Sequence, residues 1–296
     1  MRNSRAWAGE SGINILGLGA DEDSKIRKYF HIRCHGAGNK EHGLSLEAPD
    51  FTFLAPLEKI NNDHYIPELM FPDQLHMIKK WRNQLLNNRR LLVMGQKCAM
   101  LEHLSQVFQN YRLATGLWQT DVWVKDKQNV DVTLRLLHPR VRSCLLNFDD
   151  NETVTTRVYL KIGQKMRNTY ACNNLTIAER IEEAWMPVLF LRLWKQWLKI
   201  EKHDVYSNFI SDQTCRDMII SGHSLILTVK VFAKYYPEAL FAPLVFGSEQ
   251  CEKLFAKIRC FKKIKTNVAL FEMIDISGRL RKLSENVRCV NKTRQQ

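Results

Sequence analysis

The chain has 296 residues, 45% hydrophobic and 25% charged, long enough for one large core or two modest ones and too apolar for a disordered polymer. Its 44 Lys and Arg outnumber 31 Asp and Glu, and the formal net charge of +13 favours a polyanionic partner. Eight scattered cysteines without a C-x-x-C pair and an N-terminus without a signal-peptide pattern point to reduced thiols inside a cell, which leaves the N-x-T triplets at Asn151, Asn174 and Asn291 as chance. The longest apolar stretch, residues 185–198, is broken by Arg192 and Lys195 and is too short and too charged for a membrane span.

Residues 1–12 read as a flexible tail. The apolar run 13–18 ends in Gly19-Ala20-Asp21, the pattern of a buried strand that presents an Asp at its C-terminal end. Asp23-Ser24 then supplies a cap for a helix over 25–30. Residues 34–47, rich in Gly, His and polar groups, read as a loop, and 51–54 as a second short strand. After Pro67 and Pro72 comes a helix over 73–83 that opens with Asp73, an acid at a helix N-terminus.

From residue 97 the spacing is helical almost throughout, over 97–111, 128–147, 153–171, 176–200 and 213–235. Trp185, Trp194 and Trp197 are expected in the core with Cys144, Cys172 and Cys215, and Pro187 is expected to kink its helix. Residues 241–246 form an apolar approach to Gly247-Ser248, where a further short helix starts. An amphipathic helix over 267–285 and a tail over 286–296 complete the chain. Repeats and low-complexity linkers are absent from the sequence.

The segment Glu249-Gln250-Cys251-Glu252-Lys253-Leu254-Phe255 carries the most chemistry. As a helix it places two acids three residues apart on one face, with Cys251, Leu254, Phe255 and Ile258 forming an apolar stripe on the other. A basic run follows: from residue 250 onward, twelve Lys and Arg less four acids give +8 of the +13. Carboxylates beside a cationic surface suit a metal-dependent enzyme acting on nucleic acid, because the acids hold divalent cations and the basic groups hold phosphates. Charge alone fits a solvated face equally well.

Three stretches resemble, in order, motifs of the P-element-type DNA transposases and their THAP-domain relatives. Residues 15–21 resemble the strand that ends in the family's second catalytic Asp. Asp73-x-x-His76, with Lys79, Arg82, Asn83 and Leu85 behind it, resembles the D-x-x-H helix. Glu249-x-x-Glu252-x-Leu254-Phe255, followed by Ile258-Arg259, resembles the helix with the third acid. Residues 128–147 and 156–170 are similar to helices within the family's insertion.

The resemblance implies an α/β, predominantly helical fold: a partial RNase H-like core over 13–95 and 247–285, interrupted by an all-helical insertion over 96–246. It implies Asp21 and Glu252 as vestigial catalytic acids able to hold Mg or Mn, with Asp73, His76 and Glu249 in support. Lys257, Arg259, Lys262, Lys263 and Lys265 are expected to contact DNA. The family's first acid belongs on a strand before Asp21, where this chain has only Glu10, and no G-x-x-x-x-G-K-[ST] loop is present, so no nucleotide is expected.

The expectation is a transposase-derived, domesticated or truncated DNA-binding protein of the nucleus that does not cleave strands. Self-association stays open. The alternatives are an active metal-dependent nuclease with an acid supplied elsewhere, and a helical module that binds protein through the face of 176–200. Each acid also has a plainer reading: Asp21 and Asp73 as helix caps, Glu252 as a solvated residue paired with Lys253 or Lys257. A zinc site from His31, Cys34, His35 and His42 fits no standard spacing.

Overall fold

The computed structural model describes residues 17–20, 25, 26, 28, 29, 43–48, 51–61, 64–67, 69–123, 126–247 and 253. The chain divides into two units, Met1–Gly247 and Ser248–Gln296, and the elements below belong to the first.

Strand β1 (Gly17–Ala20) pairs in parallel with β5 (Leu69–Pro72), Gly17 opposite Leu69 and Ala20 opposite Pro72. Between them in sequence, β2 (Gly43–Ala48), β3 (Phe51–Asn61) and β4 (His64–Pro67) form an antiparallel three-stranded meander. Here the sequence reading needs correction. The Gly- and His-rich stretch contains a strand, because Leu44 and Leu46 alternate with Ser45 and Glu47, and β3 is eleven residues long. Lys25, Ile26, Lys28 and Tyr29 are helical, as expected.

Helix α1 (Gln74–Leu85) follows β5 directly. Strands β6 (Leu92–Met94) and β7 (Lys97–Ala99) then form a hairpin turned at Gly95, whose φ of 64° is open to glycine without strain. Residues 97–99 are therefore strand where helical spacing was expected, and α2 (Leu101–Thr115) starts after them and ends on Gly116 in the left-handed conformation. The expected division at 95/96 falls inside this hairpin.

Four further helices build the block: α3 (Gln119–Val122), α4 (Val130–Leu136), α5 (Pro139–Leu145) and α6 (Asp150–Ala171). The expected single helix over 128–147 is two, because Pro139 lacks an amide hydrogen and its fixed φ opens α5 after His138. Helix α7 (Ile177–Ile200) starts at a reciprocal cap between Thr176 and Glu179 and stays helical through the buried Pro187. Short α8 (Val205–Asn208), long α9 (Asp212–Tyr235) and a 3-10 turn (Pro243–Phe246) complete the unit. Among the described residues no helix is long and apolar enough to cross a membrane.

The main core lies between α1, the β6–β7 hairpin and helices α2 and α4–α9. At its centre Trp81 of α1 has no exposed surface and lies flat on Tyr159 of α6, ring centroids 4.1 Å apart and planes 8° from parallel. The two residues bond reciprocally: Trp81 Nε1 donates to the Tyr159 carbonyl at 3.2 Å, and Tyr159 OH donates to the Trp81 carbonyl at 2.6 Å. Both polar tips of a buried aromatic pair are thereby satisfied. Burial also holds the Tyr159 hydroxyl well above the usual phenol range, so it stays a donor. Of the three tryptophans expected in the core, Trp194 is buried and donates to the Val93 carbonyl at 2.6 Å, whereas Trp185 and Trp197 are half-buried. Cys215 is buried, its thiol pushed up to about 12 by desolvation, while Cys144 and Cys172 are only partly covered.

Close approach to the indole is possible because α6 has glycine there. A Cβ on Gly163 would stand 2.6 Å from Trp81 Cδ1 and 2.8 Å from Leu137 Cδ2. The indole is rigid, stacked on Tyr159 and bonded to its carbonyl, so Gly163→Ala should destabilise the protein by about 1–3 kcal/mol, read as a lower urea midpoint with unchanged slope. An unchanged midpoint would mean that the ring is not seated where the structure puts it.

Candidate functional site

The parallel pairing of β1 and β5 brings their carboxyl ends to one edge, and α1 starts at that edge. Asp73 occupies the turn between β5 and α1. It is buried, with extended backbone at φ −61° and ψ 121°, and its Oδ1 accepts the His76 amide at 2.8 Å. This is an N-cap, the plainer of the two roles open to it in the sequence. A carboxylate at this position also meets the positive end of the helix dipole. His76, one turn into α1, is half-buried.

A third segment reaches the same edge. Phe246 stacks on Phe71 of β5 with centroids 4.7 Å apart, and its carbonyl oxygen lies 2.5 Å from where a Cβ on Gly19 would stand. A Cβ on Gly247 would meet Gln74 Oε1 at 2.7 Å and Asp73 Oδ2 at 3.5 Å. Gly19 is thus needed for the Phe246 backbone to lie against β1, and a side chain there would part the segments, whereas a Cβ on Gly247 would meet only the ends of the Gln74 and Asp73 side chains. The end of β1, the first residues of α1 and Phe246-Gly247 converge within van der Waals distance.

Beneath this edge lies α9, whose residues Thr214, Asp217, Ser221, Ser224 and Thr228 form a buried polar stripe at helical spacing. The stripe serves the neighbouring elements. Ser224 Oγ donates to the Met70 carbonyl of β5 at 2.5 Å, and Asp217 pairs with Lys80 of α1 at 3.4 Å. Tyr170 OH of α6 meets Ser221 Oγ at 2.5 Å and donates to its carbonyl at 2.8 Å, and burial raises its pKa above the ordinary phenol value. Ile220 and Leu227 of α9 pack with Leu69, Met70 and Phe71 in a satellite core.

The remaining residues of the Asp73 motif hold the fold. Arg82 is buried and donates through Nη1 to the Asn129 carbonyl at 2.8 Å and through Nη2 to the Lys127 carbonyl at 2.6 Å. Asn83 accepts from the same guanidinium at 2.8 Å and donates to the Lys127 carbonyl at 3.2 Å. Desolvation lowers the Arg82 pKa, an effect opposed by Asp126 and Asp121. Lys79 is buried and reaches Gln128 Oε1 at 3.4 Å. The spacing that signals the motif thus clamps α1 to the turn before α4. Sequence reasoning missed this role, since the accepting carbonyls lie 45 and 47 residues away.

Asp21, Glu249, Glu252, Lys257, Arg259, Lys262, Lys263 and Lys265 lie outside the described residues, as do His31, Cys34, His35 and His42. Among the described residues no group of three or more His, Cys, Asp or Glu is placed to hold a metal ion. Among the described residues Asp73 serves as a cap, with one oxygen accepting the His76 amide. The cap role makes a sharp prediction. Asp73→Ala should cost about 0.5–2 kcal/mol of stability, whereas Asp73→Asn, an equally good cap, should cost much less. Thermal melts of the two variants decide it, and equal losses would show that charge and not the cap bond matters at this position.

No protein-family model matches the chain, and no curated protein matches it in sequence. Among solved structures it is similar to the Drosophila P element transposase strand transfer complex, with a TM-score of 0.65 and 12% sequence identity over 92% of this chain. The chain spans 61% of the length of that transposase. At this identity the likeness is one of fold. The expected class, α/β and predominantly helical, is the one observed, and the fold is transposase-like.

Proposed function

We propose that the protein is a P-element-like, transposase-derived DNA-binding protein that acts in the nucleus and does not cleave strands. The observation that carries this reading is the transposase-like fold along 92% of the chain, joined to the +8 charge after residue 249. Lys257, Arg259, Lys262, Lys263 and Lys265 are the DNA-binding residues in this reading, holding phosphates without reading bases. Kinship with THAP-domain transposases and domestication rest on the motif resemblance alone.

Asp21 and Glu252 are the residues that would hold Mg or Mn, with Glu249 three residues before Glu252 in support. Such an ion supplies charge neutralisation and an activated oxygen nucleophile in strand cleavage. In this reading the two carboxylates act without a third acid and hold divalent cations weakly. With either cation the purified chain should leave supercoiled plasmid intact. Metal-dependent nicking that Glu252→Gln abolishes would establish the alternative, an active nuclease completed by an acid from elsewhere.

Binding itself is tested through its salt dependence. Each phosphate neutralised contributes about one unit to the slope of log affinity against log salt, so replacing Lys262, Lys263 and Lys265 with Ala should weaken binding and reduce the slope by up to about three units. Affinity should be roughly micromolar or weaker at physiological salt and nearly independent of sequence. A triple variant that binds duplex DNA as tightly as the parent, with the same slope, would remove these lysines from the interface.

A further inference from the structure

Two adjacent threonines of α6 hold the β6–β7 hairpin and the start of α2. Thr155 Oγ1 donates to the Met94 carbonyl at 3.5 Å, and Thr156 Oγ1 accepts the Met100 amide at 3.0 Å. Thr156 is fully buried, and 2.8 Å from its Oγ1 lies Nδ1 of His103, a buried residue in the first turn of α2. With the Met100 amide donating to it, the hydroxyl gives its own proton to His103 Nδ1, its one acceptor among the described residues. This chain of bonds assigns the tautomer: the ring carries its proton on Nε2 and is neutral. An imidazolium would turn Nδ1 into a donor and strand the Thr156 proton in the core.

The surroundings act in the same sense. Burial and the positive end of α2 both disfavour a charged ring. The carboxylates that favour one are Glu152 of α6 and Glu102 of α2, both exposed, and Glu152 is held by Lys97 of β7. Asp150 and Arg157 of α6 pair with each other, and the Cys98 thiol of β7 is pushed up by burial and stays uncharged. Helices α3 and α5 pack against α2 as well, but their Asp121, Arg140 and Arg142 are not among the charges acting on the ring. Desolvation outweighs the two carboxylates and holds the ring below the ordinary imidazole range. What the threonines hold matters to the core, because the Val93 carbonyl of the same hairpin takes the Trp194 indole N–H.

We propose that His103, Thr156 and the Met100 amide form an acid-sensitive latch, which holds the β6–β7 hairpin and the start of α2 on α6 while the imidazole is neutral and releases them when it is protonated. Folding favours the neutral ring. The latch is therefore complete above about 6.5, the value of a free imidazole, and is lost as pH falls through it toward the lower folded value. It is independent of the DNA-binding reading, since none of its residues belongs to the basic run.

Urea titrations of the full chain at about pH 7.5 and about pH 5 read the latch directly. The folding equilibrium should fall several-fold further in the parent than in His103→Asn, whose amide oxygen keeps the bond to Thr156 and takes no proton. The limit is about thirtyfold, set by an unfolded imidazole near 6.5. Hydrogen exchange followed by NMR should show protection of the Met100 amide lost in step with titration of the His103 ring, below 6.5. An acid loss as large in His103→Asn as in the parent overturns the latch, as does a folded-state ring that titrates at or above 6.5. If His103→Asn does not fold, the parent alone decides: Met100 protection that follows ring protonation supports the latch, and protection unmoved across that titration overturns it.

Discussion

The flat seating of Trp81 on Tyr159 is the constraint from which the rest of the first unit follows. The indole and the phenol stack and bond each other's backbone, so α1 and α6 are fixed in rotation as well as separation. The missing side chain at Gly163 sets how near they come. Arg82, next to Trp81, then fixes an adjacent side of α1 to the carbonyls of Lys127 and Asn129. Replacing either aromatic would leave a buried polar group without its partner as well as a cavity, two separate losses.

Because α1 is locked by its middle, its N-terminus is a fixed point. Asp73 caps it there, β5 enters it there, and Gly247 lies against it. The buried hydroxyls of α9 complete the mount from below, through Ser224 to β5 and Ser221 to Tyr170. A rigid platform with strand ends and a helix N-terminus at one edge is the arrangement on which α/β proteins place ligands.

Local periodicity made the long helices legible, since α6, α7 and α9 carry apolar stripes over 22 to 24 residues. It failed where a short element depends on a distant partner. The β6–β7 hairpin needs α6 beneath it to be a sheet, and Cys98-Ala99 reads as the opening of a helix when α6 is out of view. Pro139 and Gly95 were visible breakers whose meaning required the fold. The site divides in the same way. Asp73 was recognisable as a cap from its position before a helix. Arg82 and Asn83 read as part of a functional signature because their carbonyl partners are 44 to 47 residues off in sequence. Gly19 read only as part of a strand end, since its value is the closeness of the Phe246 backbone.

The central functional proposal is that DNA meets the basic segment after Glu252 and not the helical block, although the block also carries exposed cations such as Lys161 and Lys230. Ultraviolet cross-linking to a bromodeoxyuridine-substituted duplex, with the attached peptides identified by mass spectrometry, separates the two directly. Cross-links concentrated in peptides covering residues 253–265 are the expected result. Cross-links confined to residues 69–247 would contradict it and move the nucleic-acid surface onto the helices.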